Sequence, residues 1–151
     1  MEVQIAKTED FEDWIRLAKE VEPLFGPMSE EISFHSALKE FIFAEQAFCI
    51  KNDSEFVGAI VISKQENNIL WFAVSQKHKG KGYGKLLLQY AINKLDSSKD
   101  IMVQTFAKDI DEGVPARKLY ESFGFVDLKP EDKNPAGYKT VIMVKFKSLS
   151  C

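Results

Sequence analysis

Cysteine and histidine are scarce in this chain, with two of each among 151 residues. Cys49 and Cys151 lie far apart, and His35 and His78 stand at no metal-ligand spacing from them. That scarcity excludes a disulfide-stapled scaffold and speaks against a structural zinc site. One disulfide between the two is the alternative to the expectation of two free thiols in a reducing cytosol. An excess of one charge is missing too: 20 basic against 23 acidic residues leave a net charge of -3 and a pI near 5.5. Nothing global therefore draws the chain to nucleic acid or to an anionic membrane. No apolar run approaches the roughly 18 residues of a membrane span. The start, MEVQIAKTEDFEDW, has neither the basic nor the apolar part of a secretory leader. A cytoplasmic protein is expected. Repeats, low-complexity tracts and linkers are also lacking, so residues 1–151 read as a single domain.

What is present suits a folded core. Hydrophobic residues make up 45% and charged residues 28% of the chain, and 12 phenylalanines supply much of the apolar surface. A chain of this length buries a core without staples.

Periodicity then divides the chain. VQIAKT, Val3 to Thr8, alternates as a first strand. Apolar residues at Phe11, Trp14, Ile15, Ala18, Val21 and Phe25 keep helix spacing, with Thr8 or Asp10 as N-cap and Gly26-Pro27 as the stop. A second helix, Glu31 to Glu45, buries Phe34, Leu38, Phe41 and Ile42. AFCIKN, EFVGAIVIS and ILWFAVS follow as short strands joined by turn-like links, which makes them an antiparallel meander. Next come a glycine-rich loop and a helix burying Tyr83, Leu86, Leu87, Tyr90, Ala91 and Leu95. IMVQTFA is a strand. A helix with Ala116, Leu119, Tyr120 and Phe123 on one face follows, with Pro115 in its first turn and Gly124 past its end. FVDL and GYKTVIMVKF close the chain as strands. The order β-α-α-β-β-β-α-β-α-β-β reads as a mixed α/β, mostly antiparallel central sheet with helices on both faces.

The loop KHKGKGYGK, Lys77 to Lys85, concentrates positive charge and glycine against an acidic background. A solvated turn explains such a loop equally well when it stands alone. Here it follows an apolar strand and opens a helix at Tyr83. Consecutive N–H groups at a helix start, freed of side chains by glycine, form an anion site to which lysines add charge. Neither nucleotide-binding fingerprint fits. No Ser or Thr follows Gly84-Lys85, as a Walker loop requires, and Lys85 stands where a dinucleotide motif needs its third glycine. A pyrophosphate is the anion that best fits several adjacent N–H donors.

The run WFAVSQKHKGKGYGKLLLQYA resembles the acetyl-CoA-binding motif of the GNAT superfamily of N-acetyltransferases. Lys79, Gly80, Lys81, Gly82, Tyr83 and Gly84 fill its Arg/Gln-x-x-Gly-x-Gly pattern, with lysine in the first place. Downstream, ARKLYESFGF is similar to the family's Ala-x-x-x-Tyr-x-x-x-Gly-Phe signature, and FVGAIVIS to its glycine-containing central strand. The likeness spans nearly the whole chain in the right order of elements. It implies acetyl-CoA as acyl donor. The backbone of Phe72, Ala73 and Val74 would pair with the pantetheine arm. The N–H groups from Lys79 to Gly84 would take the pyrophosphate, with Lys85 beside them. The strand ending at Val74 and IMVQTFA would splay apart around the thioester, whose oxyanion the Val74 N–H would stabilise.

The resemblance also places Tyr120 where the family often has a general acid; on its helix face alone it reads as a core tyrosine with its hydroxyl at the rim. Two departures stand out. Asn68, which takes no proton at neutral pH, replaces the usual glutamate base, and Gly113 replaces an asparagine that often contacts CoA. Glu66 lies two residues before Asn68, on the same strand face or in the hairpin turn; a water chain, another carboxylate or solvent alone are the other candidates for the base. His35 reads as a half-buried packing residue, His78 as solvent-exposed and Cys49 as strand core. Glu30 and Glu31 fall where the family's acceptor site begins, and a solvated helix N-terminus explains them equally well. The resulting expectation is an enzyme that passes acetyl from acetyl-CoA to a primary amine of a small molecule or peptide. Its rivals are a non-catalytic acyl-CoA-binding or sensing module and, more weakly, a nucleic-acid binder. The acceptor and the oligomeric state stay open, a homodimer included.

Overall fold

The computed structural model describes residues 2–148. Its elements are β1 (Gln4–Ile5), α1 (Phe11–Phe25), α2 (Ile32–Phe43), β2 (Ala47–Asn52), β3 (Glu55–Ser63), β4 (Asn68–Val74), α3 (Tyr83–Lys94), β5 (Ile101–Phe106), α4 (Val114–Ser122), β6 (Val126–Glu131) and β7 (Thr140–Lys145). The seven strands form one sheet in the order β1-β2-β3-β4-β5-β7-β6. Every neighbouring pair is antiparallel except β4 with β5. The expected order of elements and the mixed, mostly antiparallel sheet are what the fold has.

Helices cover both faces. Trp14, Leu17, Ala18 and Val21 of α1 and Leu38 and Ile42 of α2 pack on one face, against Cys49, Ala59, Val61 and Ala73. Leu87, Leu88, Ala91 and Ile92 of α3 and Tyr120 of α4 pack on the other, against Phe48, Ile50, Ile60 and Ile62. A strand covered on both sides has no polar face to show, hence the unbroken apolar run of β3. Burial of the Cys49 thiol, then the nearby Asp10 carboxylate, push its pKa up to about 12, which makes it an inert core group. Cys151 lies outside the described residues.

Several boundaries differ from the sequence reading. β1 keeps only Gln4 and Ile5, since Thr8–Asp10 coil into a 3-10 turn. Neither Thr8 nor Asp10 caps α1 through its side chain. The buried Asp10 carboxylate instead accepts the Lys7 N–H and the Lys51 ammonium, both at 2.8 Å. On α3 the buried stripe turns by one residue: Leu88 and Ile92 go inward, and Leu86 is 45% exposed. Apolar residues occupy more than half of that helix's circumference, so contact with the sheet sets the angle. α1 ends as expected at Gly26, whose φ of +102° suits glycine; a Cβ there would lie 2.4 Å from the Pro135 Cβ. That close approach brings the β6–β7 loop onto the end of α1. Asn134 fastens it by donating to the Leu24 carbonyl at 2.9 Å.

Candidate active site

The sheet opens in its middle. β4 pairs with β3 along its length, but with β5 only at Asn68↔Met102 and Ile69↔Val103. β5 then runs on beside β7 through Phe106. From Leu70 to Val74, β4 therefore has no neighbour on its β5 side. The Ser75 N–H donates to the Val57 carbonyl at 2.8 Å, which fixes the alternation of the β3–β4 ladder. Ala73 spends its main-chain groups on β3, while those of Phe72 and Val74 point into the gap. Of the expected three residues, Phe72 and Val74 thus present a free edge and Ala73 does not. The closed end of the gap is pinned by Asn67, a buried residue with a positive φ of 60°. Its side chain donates to the Asp96 and Asp100 carbonyls and accepts the Asp96 N–H, tying the β3–β4 turn to the start of β5.

The glycine loop begins at the open end. Gly80 (φ +77°) and Gly82 (φ +88°) carry the chain into α3, and a Cβ on either would meet nothing within 4 Å. Among the described residues, the N–H groups of Gly80 to Lys85 have no backbone acceptor, because α3's own bonding starts with Leu86 on Gly82. The free run is shifted by one from the expected Lys79–Gly84: the Lys79 N–H faces the Gln76 carbonyl at 3.4 Å. Lys77, Lys79, Lys81 and Lys85 are exposed around it. Glu20 of α1 holds the loop's first residues, accepting the Gln76 N–H at 2.6 Å and the Ser75 hydroxyl at 3.3 Å.

His78 is not exposed, contrary to the sequence reading. It is buried, its Nε2 2.7 Å from Glu55 and its ring edge-on to Tyr83 at 6.0 Å. The His78 hydrogen bond, then Lys77, hold the Glu55 carboxyl below the usual carboxylate range. No local pattern announces this burial, because Glu55 is 23 residues away. His35 is half-buried as expected, edge-on to Phe11 at 5.3 Å.

Across the loop, α4 brings Tyr120 to β4. The ring is 4% exposed and sits 6.1 Å from Phe72 and 5.5 Å from Phe125. Among the described residues, its hydroxyl has no hydrogen-bond partner; the sealed polar atoms without one are Trp14 Nε1 and His78 Nδ1. The phenolic oxygen therefore keeps its opening to solvent, and burial of the ring raises its pKa above the ordinary tyrosine value. It stays a donor at neutral pH. A Cβ on Gly84 would lie 3.3 Å from Leu119, 3.6 Å from Phe72 and 3.7 Å from Val74, so α3's first turn, α4 and β4 meet there. Arg117 had no sequence signal. Buried on α4, it donates to the Phe106 carbonyl at 3.2 Å and to Asp127 at 2.8 Å.

Gly113 has a steric reason. A Cβ there would come within 2.3 Å of the Phe106 Cβ, so the ring of Phe106 holds the space an asparagine would need. Gly113→Ala should destabilise the fold by about 1–3 kcal/mol, the usual cost of overpacking, read as a lower urea midpoint at unchanged slope.

On the opposite face, aromatic rings from four segments meet where the strands part. Phe25 lies 6.2 Å from Trp71 of β4 and 6.3 Å from Phe106 of β5, and Tyr138 lies 5.5 Å from Phe106. Met28 accepts the Trp71 indole N–H at 3.3 Å. The α1–α2 loop is held by Glu22, which accepts the N–H groups of Met28 and Ser29 and the Ser29 hydroxyl, each at 2.8 Å. Those bonds, Met28's first, lower the Glu22 pKa. Glu66 sits in the β3–β4 turn and is exposed, so it shares no strand face with Asn68. Glu30 and Glu31 are exposed as well.

The family comparison agrees with this geometry. The family model described as "Acetyltransferase (GNAT) domain" matches residues 26–146. Among solved structures, a Bacillus cereus acetyltransferase of the GNAT family is 17% identical with a TM-score of 0.72 over 98% of each chain. Ard1 from Thermoplasma volcanium is 19% identical, with a TM-score of 0.73 over 97% of each chain. A ribosomal-protein-alanine N-acetyltransferase from Brucella melitensis is 13% identical, with a TM-score of 0.75 over 97% of this chain and 99% of that one. No curated protein matches the sequence. With the family's domain matched over most of its length and the fold shared nearly end to end, this chain belongs to the GNAT acetyltransferases.

Proposed function

We propose that the chain transfers the acetyl group of acetyl-CoA to a primary amine by direct attack on the thioester. One observation carries this reading: the partnerless edge of β4 runs straight into the free N–H groups of Gly80 to Lys85. An edge and an anion cradle in one line suit a ligand with an amide-bearing arm and a pyrophosphate. Phe72 and Val74 would bind the arm, and the loop N–H groups with the surrounding lysines would bind the phosphates. The Val74 N–H, aimed into the gap, suits charge developing on the thioester oxygen.

Tyr120 donates from its phenolic oxygen to the departing sulfur as the C–N bond forms and the C–S bond breaks. Its raised pKa lies above the roughly 8.5 of a thiol, so the hydrogen bond is shared with the sulfur in the transition state without full ionisation of the phenol. The amine's proton leaves to water, since Asn68 cannot take it and Glu66 is in the turn. The name of the Brucella melitensis protein, an N-acetyltransferase, fits the choice of nitrogen as acceptor.

The deciding experiment incubates the chain with acetyl-CoA and an amine library and follows thiol release. Turnover should climb with pH without a plateau near neutrality, because an alkylamine with a pKa near ~10.4 is mostly protonated at pH 7. A plateau between pH 6 and 7 would reveal a side-chain base and overturn the solvent route. Asn68 favours the sensor as a second reading. Tight CoA binding with no thiol release from any amine would establish that reading.

A further inference from the structure

From the aromatic face of the gap we infer that the acceptor is a primary amine a few bonds from an aromatic ring. This rests on the acetyl-transfer reading. An amine bound for the gap between β4 and β5 must lay the rest of its molecule on the surface around it. Opposite Tyr120 that surface is made of Phe25, Trp71, Phe106 and Tyr138, with ring centres 5.5–6.3 Å apart along the chain of contacts. Phe25 bridges the two diverging strands, touching Trp71 of one and Phe106 of the other. Phe25, Trp71 and Tyr138 are half-buried, and Trp71 also packs on Trp14 at 5.7 Å and on Phe34 at 6.3 Å. Spacings of this size are those of edge-to-face and tilted aromatic packing, which an acceptor's ring would extend.

Little polar recognition is left there. One Glu22 carboxylate oxygen, Oε2, takes all three bonds from Met28 and Ser29, and the Trp71 N–H is on Met28. The Asn134 amide is on Leu24, and Asp109 is 3.4 Å from Lys139. Glu30 and Glu31 are exposed to solvent, where a second ammonium is screened and gains little. A polycation would find no buried carboxylate for its extra charges. The gain from the ring faces goes instead to the acceptor's own aromatic ring, because the nitrogen that attacks is neutral. Either a free arylalkylamine or a peptide beginning with an aromatic residue carries this chemistry.

The test measures thiol release with acetyl-CoA for 2-phenylethylamine, n-butylamine, spermidine and Phe-Ala amide. In parallel, the intrinsic fluorescence of the CoA complex is titrated with each amine. Trp14 is fully buried with its ring 5.7 Å from that of the half-buried Trp71, so the change is assigned to Trp71 by its loss in Trp71→Leu. The expected kcat/KM for 2-phenylethylamine exceeds that for n-butylamine about tenfold or more, the worth of burying one ring. Spermidine falls to the level of n-butylamine or below. Trp71→Leu and Tyr138→Ala should each narrow the ratio, and the loop position of Tyr138 leaves a folded variant if Trp71→Leu is unstable. The dipeptide amide against the free amine decides between the two sources. Equal or better turnover of spermidine, or a ratio unmoved in both variants, overturns the inference. If no amine turns over while 2-phenylethylamine alone shifts the fluorescence, the acetyl-transfer reading falls, and with it the acceptor role, while the aromatic face keeps its selectivity as a binding site for such an amine. No shift and no turnover with either aromatic amine overturns it.

Discussion

Gly82→Val is expected to abolish most of the melting-temperature rise that CoA gives the native chain. Gly82 holds φ +88° at the N-cap of α3, a conformation that a β-branched residue adopts only under strain. The strain, about 1–3 kcal/mol, lowers the variant's own melting temperature without preventing folding, because a Cβ at Gly82 meets nothing within 4 Å. That open space is where an anion must come to reach the N–H groups of Gly80 to Lys85. The added Cβ and its two methyl groups fill it. A ligand at about 100 times its Kd stabilises by about 2.7 kcal/mol. For a chain of this size that is about 5–10 °C. The native chain should show a shift of this order with CoA, and the variant little of it. An equal shift in a folded Gly82→Val would remove the loop from the binding site, and with it the reading of the adjoining edge.

Tyr120→Phe should lower kcat about 10²-fold, the low end for general acid catalysis, with little change in stability or in KM for acetyl-CoA. The ring keeps its contacts with Phe72 and Phe125, and what is lost is a hydroxyl that no described residue uses. A hydroxyl holding a buried partner would leave that partner unsatisfied on removal, at a cost of about 1–3 kcal/mol. Here no such loss arises, so activity and stability separate cleanly. The effect stays small for two reasons. A thiolate leaves fairly well unaided, and a phenol whose pKa is raised by burial is a hydrogen-bond donor more than an acid. Native turnover in the variant would make Tyr120 a packing residue.

Local rules carried the fold a long way. The switch from helix spacing to alternation placed β2 to β4, and the glycines with lysines marked the start of α3. The spacing from Pro115 to Gly124 fixed α4, and the family signatures joined these pieces into one topology. Each of these features is written within about ten residues, the range over which propensity and periodicity act. What decided the site lies beyond that range. β4 leaves β5 after Ile69 while β5 stays paired with β7 along its whole length, and no residue of β4 records where that parting falls. The main chain of Ala73 belongs to β3 because the register set at Val57 and Ser75 alternates through it. His78 is buried because Glu55 reaches it from the start of β3, and Gly113 is a glycine because Phe106 fills the space beside it. The aromatic face draws one ring each from α1, β4, β5 and the β6–β7 loop. Side-chain pattern is a property of neighbours in sequence; pairing register and the meeting of distant rings are properties of the packed chain, and only the tertiary structure sets them.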